Sequence, residues 1–174
     1  MTEQEFSPAV ELAGWGWEQV HALGGGVADP FETGTTNLVW RPKEQHYGVR
    51  SGDRVVAHAG YVVVPVEVGG VRFDVAGIGG VIVSPDVRGQ GLARTAVDAA
   101  LAGARAAGLD LALLFCLPDR ASLYRRLGWT PITEPVTVEQ PAGPTVMPIH
   151  AMWTAVTPGG SWPGGPVRLH SLPM

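Results

Sequence analysis

The sequence predicts an α/β domain, and three observations carry that prediction. Residues 54–68 and 71–83 are two valine-rich, β-branched runs joined by Gly69-Gly70, the composition and spacing of a long hairpin. The second run passes through Ser84-Pro85 and a glycine-rich loop, Arg88-Gly89-Gln90-Gly91, into residues 92–107. There Leu92, Ala96, Val97, Ala100, Leu101 and Ala104 recur at helical spacing. Residues 110–116 (DLALLFC) then form a short apolar run of the kind that is buried on both faces of a sheet. At 174 residues the chain suits one domain over 1–174 with a core of its own.

The remaining elements follow in order. Residues 8–23 read as one helix, with Val10, Leu12, Ala13, Trp17, Val20, Ala22 and Leu23 as an imperfect apolar stripe and Gly24-Gly25-Gly26 as its stop. Residues 27–43 have no clean period; Asp29-Pro30 and Gly34-Thr35-Thr36 mark a loop with at most a short helix. A strand over 45–50 is followed by a Ser51-Gly52-Asp53 turn. Gly108 closes the 92–107 helix, and Asp119 is placed to cap a short helix that runs to Leu127 and ends at Gly128. Residues 129–139 and 144–156 are weaker strands, and 157–174, rich in Pro and Gly, is an irregular tail. No repeat or linker interrupts the chain.

Composition removes several function classes. Hydrophobic residues are 45% and mean hydropathy is +0.13, values of a globular chain. The net charge is −4 with no block of Lys or Arg, which speaks against nucleic acid or an anionic membrane as partner. Cys116 is the only cysteine, so neither an intramolecular disulfide nor a thiolate zinc site is available. His21, His46, His58, His150 and His170 lack metal-binding spacing, so no metal is expected. Met1 to Phe6 carry acids but no Lys or Arg, with no apolar signal core after them and no membrane-length apolar run, so a cytoplasmic location is expected.

The strand–loop–helix unit carries the chemistry. A glycine-rich turn into a helix presents free backbone N–H groups and the positive end of the helix dipole, which together make an anion site. Gly89 and Gly91 admit a bulky diphosphate close to the backbone, and Arg88 adds positive charge. A P-loop would need Gly-Lys-Ser/Thr, and a dinucleotide fingerprint would need a small residue where Arg94 stands. Neither motif is met.

Val81-Ile82-Val83-Ser84-Pro85-Asp86-Val87-Arg88-Gly89-Gln90-Gly91-Leu92-Ala93 resembles the acetyl-CoA signature of the GNAT superfamily of N-acetyltransferases. Ala121-Ser122-Leu123-Tyr124-Arg125-Arg126-Leu127-Gly128-Trp129 is similar to its second hallmark, a Tyr followed four residues later by Gly-Phe or Gly-Trp. The resemblance implies a mixed central sheet with an antiparallel N-terminal meander and splayed parallel fourth and fifth strands, flanked by helices. It implies acetyl-CoA as cosubstrate. Val81, Ile82 and Val83 would pair with the pantetheine arm, and Arg88, Gly89, Gln90, Gly91, Leu92 and Ala93 would hold the pyrophosphate. Tyr124 would be the acid that protonates the thiolate leaving group, in a ternary complex where the amine attacks directly beside a strand N–H near Ile82.

Within the superfamily the chain resembles the aminoglycoside 2′-N-acetyltransferase group, through V-V-A-H-A-G-Y, the hairpin, G-V-I-V-S-P-D-V-R-G-Q-G and L-Y-R-R-L-G-W. That resemblance implies an amine acceptor of aminoglycoside type and a role in antibiotic resistance, with Asp29 and Glu32 as acids toward the sugar. In that group a glutamate base commonly stands where this chain has Gly79, followed by Gly80. His58 and Asp74 are then the candidate bases, or the amine arrives neutral. The acids expected after Glu139 are also missing, and Arg168 and His170 are basic, which favours a compact acceptor with an acidic group of its own, such as kasugamycin. Three other readings stay open: an acyl-CoA sensor without turnover, an acetyltransferase for a protein N-terminus or lysine, and a ping-pong route through Cys116. Exposed strand valines and the tryptophans at 15, 17, 153 and 162 allow a homodimer.

Overall fold

Two long runs of β-branched chain, joined by two glycines, form the hairpin around which the molecule is built. The structure is a computed structural model and describes residues 4–174. Residues 1–3, part of the acidic Met1–Phe6 stretch that argued against a signal peptide, lie outside the described residues. In chain order the elements are β1 (Val10–Glu11), α1 (Trp17–Leu23), β2 (Gln45–Ser51), β3 (Arg54–Val68), β4 (Val71–Val83), α2 (Leu92–Ala106), β5 (Leu111–Cys116), α3 (Ala121–Arg126), β6 (Thr130–Pro131), β7 (Val136–Val138), β8 (Thr145–Val146), β9 (His150–Ala155) and β10 (Val167–Leu169). Short 3₁₀ turns cover Thr33–Thr36, Pro85–Val87 and Pro118–Arg120.

One mixed sheet holds the strands in the order β6-β9-β5-β4-β3-β10-β7-β8. β2 pairs with the first half of β3, and β10 with its last residues. Among the described residues, pairing is parallel only between β4 and β5 and between β7 and β10. Gly69 and Gly70, at φ +54° and +85°, make the hairpin turn in a conformation that side chains resist.

The core lies on both faces of the sheet. On one face α2 sets Ala96, Val97, Ala100 and Ala104 against Ala57, Ala59, Tyr61, Ala76 and Ile78, and the small alanines let the helix come close. On the other, Val62, Val64, Val66 and Val75 pack with Leu113, Val136, Leu169 and Met174. No helix among the described residues is long and apolar enough to cross a membrane.

Three expectations need correction. Residues 8–23 are not one helix: Gly14 at φ +65° and the extended Gly16 stop helical backbone, and Val10–Glu11 instead pairs with Tyr47 and Gly48 as an added strand. Asp119 caps nothing; a 3₁₀ turn opened by Pro118 leads into α3, whose N-cap is Arg120, without a side-chain bond. The 157–174 segment is not wholly irregular. Its β10 fills the edge of β3 beyond β2, which would otherwise present unpaired backbone groups.

Gly103 generates a prediction. It sits inside α2, where glycine costs about 1 kcal/mol relative to alanine, because the Tyr47 phenol occupies the space a side chain would need. Gly103→Ala should therefore destabilise the fold by about 1 kcal/mol net, since the collision outweighs the gained propensity. In a Tyr47→Phe background, which removes the nearest colliding atom and leaves the ring edge, the same change should cost less, as read by urea denaturation.

Candidate active site

β4 and β5 are neighbours for only two residue pairs, Ala76 with Ala112 and Gly77 with Leu113. Beyond them β5 stays paired with β9 on its other side, while β4 follows β3 away. A bulge on β4 accompanies the parting: His58 pairs with Ile82 and Gly60 with Gly79, so Gly80 and Val81 together face Ala59, with Gly80 at φ +62°. The parted strands open into a cavity of about 1040 Å³. Its lining runs from Trp15, Phe31, Trp40 and Lys43, past Gly79–Val83, to the loop at the start of α2, with Cys116 and Tyr124 on the β5 side.

The loop end is built for an anion. Gly91 caps α2 without a side-chain bond, and the first intrahelical bond runs from Thr95 N–H to Gly91 O (3.2 Å). The N–H groups of Leu92, Ala93 and Arg94 therefore have no helical partner. Gly89 and Gly91 adopt φ +81° and +77°, and a Cβ at either would meet no protein atom within 4 Å, so the glycines are there for backbone conformation beside open space. Arg88, Arg94 and Arg126 line the same end; Arg88 Nε donates to Val83 O (3.2 Å) and an Arg94 Nη donates to Arg126 O (2.8 Å). Arg54 and the Ser84 hydroxyl hold Asp86 at the start of the loop and depress its carboxyl to about pKa 2.

His58 locks the bulge. Gly80 O can only accept, so His58 Nδ1–H donates to it (2.6 Å), which leaves Nε2 to accept from His46 Nδ1–H at 2.9 Å. The Trp15 indole stacks on the His58 ring at 4.7 Å between centroids. Burial pushes His58 down to about pKa 4, so the ring is neutral at physiological pH with both nitrogens engaged. Tyr124 lies on α3, 8% exposed, edge-on to Trp129, and burial raises its phenol well above the ordinary range. Burial also lifts the Cys116 thiol, to about 11, and its S–H lies 3.8 Å from the Met152 thioether. It is therefore a protonated thiol and a poor nucleophile.

The cavity thus brings together His58, Gly79, Val81, Ile82, Val83, Arg88, Gly89, Gly91, Leu92, Ala93 and Tyr124, with Gln90 in the same loop. It does not include the other sequence candidates. Asp29 accepts from the backbone of Gly34 (2.8 Å), and Glu32 pairs with Arg120 at 3.5 Å. Asp74 is exposed opposite Pro65, toward the hairpin turn. Arg168 pairs with Glu139 at 3.3 Å, and His170 lies 3.8 Å from Glu67. Sequence reasoning missed Trp15, Arg41, Lys43, His46 and Arg120. Most sit in loops without a period; His46 alone was within reach, two residues from Gly48, which pairs with His58. No group of three or more His, Cys, Asp or Glu among the described residues could hold a metal.

Residues 2–132 match the family model described as "Acetyltransferase (GNAT) domain". The chain belongs to the GNAT acetyltransferase family. No curated protein matches it. Among solved structures it is similar to the ribosomal-protein-S18-alanine N-acetyltransferase of Escherichia coli, with 17% identity, TM-score 0.60, and 90% of this chain and 97% of that one covered. A GNAT acetyltransferase of Brucella melitensis in complex with acetyl-CoA is 16% identical with TM-score 0.56, covering 97% of each chain. The E. coli GNAT protein YhbS in complex with CoA is 21% identical with TM-score 0.52, covering 88% of this chain and 74% of that one. Other similar chains are longer: this one spans 32% of a probable N-acyltransferase from Enterococcus faecalis and 21% of a GNAT protein from Kribbella flavida.

The buried His58 makes stability depend on pH. Its folded pKa of about 4 lies below the unfolded 6.5, so between these values the unfolded chain binds the extra proton. Stability should fall as pH drops through that window, by about 3 kcal/mol at most, and level off for this group below it. Denaturation midpoints between pH 7 and 4 should show the slope, and His58→Phe should remove most of it.

Proposed function

We propose that the chain is an N-acetyltransferase that passes an acetyl group from acetyl-CoA to the amine of a small molecule, by direct attack in a ternary complex. The observation that carries the reading is one cavity that joins an anion-binding helix start, a strand edge released from its neighbour, and a buried tyrosine. Acetyl-CoA fits this arrangement: the open α2 N-terminus with Arg88, Arg94 and Arg126 suits its phosphates, and the backbone of Val81–Val83 suits the amide-rich pantetheine arm. When bound, it supplies the thioester. The N–H groups along β4 are placed to stabilise a developing oxyanion, and Tyr124, held protonated by burial, delivers a proton to the departing sulfur.

The base question has an electrostatic answer. Among the described residues no Asp or Glu lines the cavity, while Arg41, Lys43 and Arg120 do. Cations around a bound ammonium lower its pKa, so the amine reacts after shedding its proton to water rather than to a carboxylate. His58, engaged at both nitrogens, keeps the bulge in shape. The same lining bears on the acceptor: a polycationic aminoglycoside would find no counter-charge, so of that class only a compact, acid-bearing member of the kasugamycin kind suits the site. A peptide acceptor of the S18 kind is the second reading, carried only by the likeness to that enzyme's fold.

Thiol release from acetyl-CoA should be measured against aminoglycosides including kasugamycin, polyamines, amino acids and peptides. Turnover confined to small amines is expected, with Tyr124→Phe lowering kcat about 10²- to 10⁴-fold. Arg94→Ala should raise the KM for acetyl-CoA more than it lowers kcat. Tight coenzyme A binding with no turnover of any amine would instead mark an acyl-CoA sensor.

A further inference from the structure

The middle of the sheet contains a slot. Gly60 on β3 and Gly79 on β4 are cross-strand partners, so their missing side chains leave a gap on one face. The stem of Lys43 lies in it. A Cβ at Gly60 would come 3.0 Å from Lys43 Cβ and 3.1 Å from Cγ; a Cβ at Gly79 would strike Cε and come 2.7 Å from Nζ. Glycine inside a strand weakens it, and here two stand opposite each other in the longest pairing of the fold. Their arrangement delivers one ammonium to the cavity, into the space that a side chain at position 79 would otherwise fill.

That ammonium has no partner. Arg41 pairs with Glu44 at 3.0 Å and Arg120 with Glu32 at 3.5 Å, but among the described residues no carboxylate comes within 4.0 Å of Lys43 Nζ. Burial alone pushes it down to about pKa 8, so most of it is still charged at neutral pH. Among the described residues the cavity walls hold no Asp or Glu side chain; Met174 also borders the slot, its backbone carbon 3.4 Å from where a Gly79 Cβ would lie. The same cavity is lined by Trp15, Phe31, Trp40 and Phe115, and the Trp15 indole N–H is buried without an acceptor.

We infer that Lys43 anchors an anionic group of the acceptor, so that the acceptor is an amine that also carries a carboxylate, with an apolar body against the aromatic wall. The inference rests on the acetyl-transfer reading for the identity of the amine, but its anchor can be tested without turnover. Phenylalanine, phenylalaninamide and phenethylamine share one apolar body and differ in charge. The kcat/KM preference for phenylalanine over the other two should fall about 10- to 100-fold in Lys43→Met, the range of one charge-assisted hydrogen bond, and Lys43→Arg should restore part of it. Equal losses for all three acceptors in Lys43→Met would make Lys43 a proton-transfer residue and overturn the anchor. The second arm is calorimetry with coenzyme A present: N-acetylphenylalanine should bind more tightly than N-acetylphenethylamine, and Lys43→Met should erase the difference. No difference in the native protein also overturns it. If no amine is turned over but the calorimetric difference is present and lost in Lys43→Met, the anchor stands and the acetyl-transfer reading falls.

Discussion

The hydrogen bond from His58 Nδ1 to the carbonyl of Gly80, at 2.6 Å, is the constraint on which the site depends. It fixes a bulge that puts β4 out of step with β3 just where β4 leaves β5. A flat, regular pairing would hold β4 and β5 together and close the cavity. With the bulge in place, backbone groups of Gly80 and Val81 are withdrawn from the ladder and the strand ends at the loop that starts α2. The histidine is bound in turn by His46 and covered by Trp15, so the shape of the opening is set by a polar chain inside an apolar shell. Desolvation is what makes that chain rigid: each member can satisfy its polar atoms only through the next.

The charge arrangement is uneven in a way the net value of −4 hides. Several acids lie outside the cavity paired with neighbours, as in Asp86 with Arg54, Glu67 with Arg72 and Glu139 with Arg168. Each of these is an exposed pair worth little to stability. Among the described residues the charged side chains that line the cavity are cations, with Arg41 and Arg120 paired to acids outside it. An acidic protein can therefore hold a positive interior for phosphates and carboxylates while its outer surface stays negative.

Much of the fold was legible because its signals are local. The valine-rich runs of β3 and β4, the glycine pair between them and the alanine stripe of α2 each act within a short window, and their bounds match the sequence reading closely. The failures lie where tertiary pairing decides. Val10 and Glu11 carry no strand signal of their own and become a strand only because β2 offers an edge. Residues 167–169 are recruited by β3 in the same way. At the site, the cavity takes in the loop glycines and Tyr124 that motif and order singled out, and leaves out the acids. Asp29, Glu32 and Asp74 were read by residue type, and burial and pairing place them outside the cavity. Lys43 gave no signal because its meaning depends on two glycines distant in sequence.

Those two glycines tie three positions into one unit of inheritance. A side chain at 79 displaces the end of the lysine from the slot, and one at 60 meets its stem and the Gln45 carbonyl. Losing the lysine leaves a void over bare backbone in the centre of the sheet. A change at 60, 79 or 43 is therefore felt at the other two positions. Change of acceptor in such a protein should come by paired replacement, not by drift at single sites.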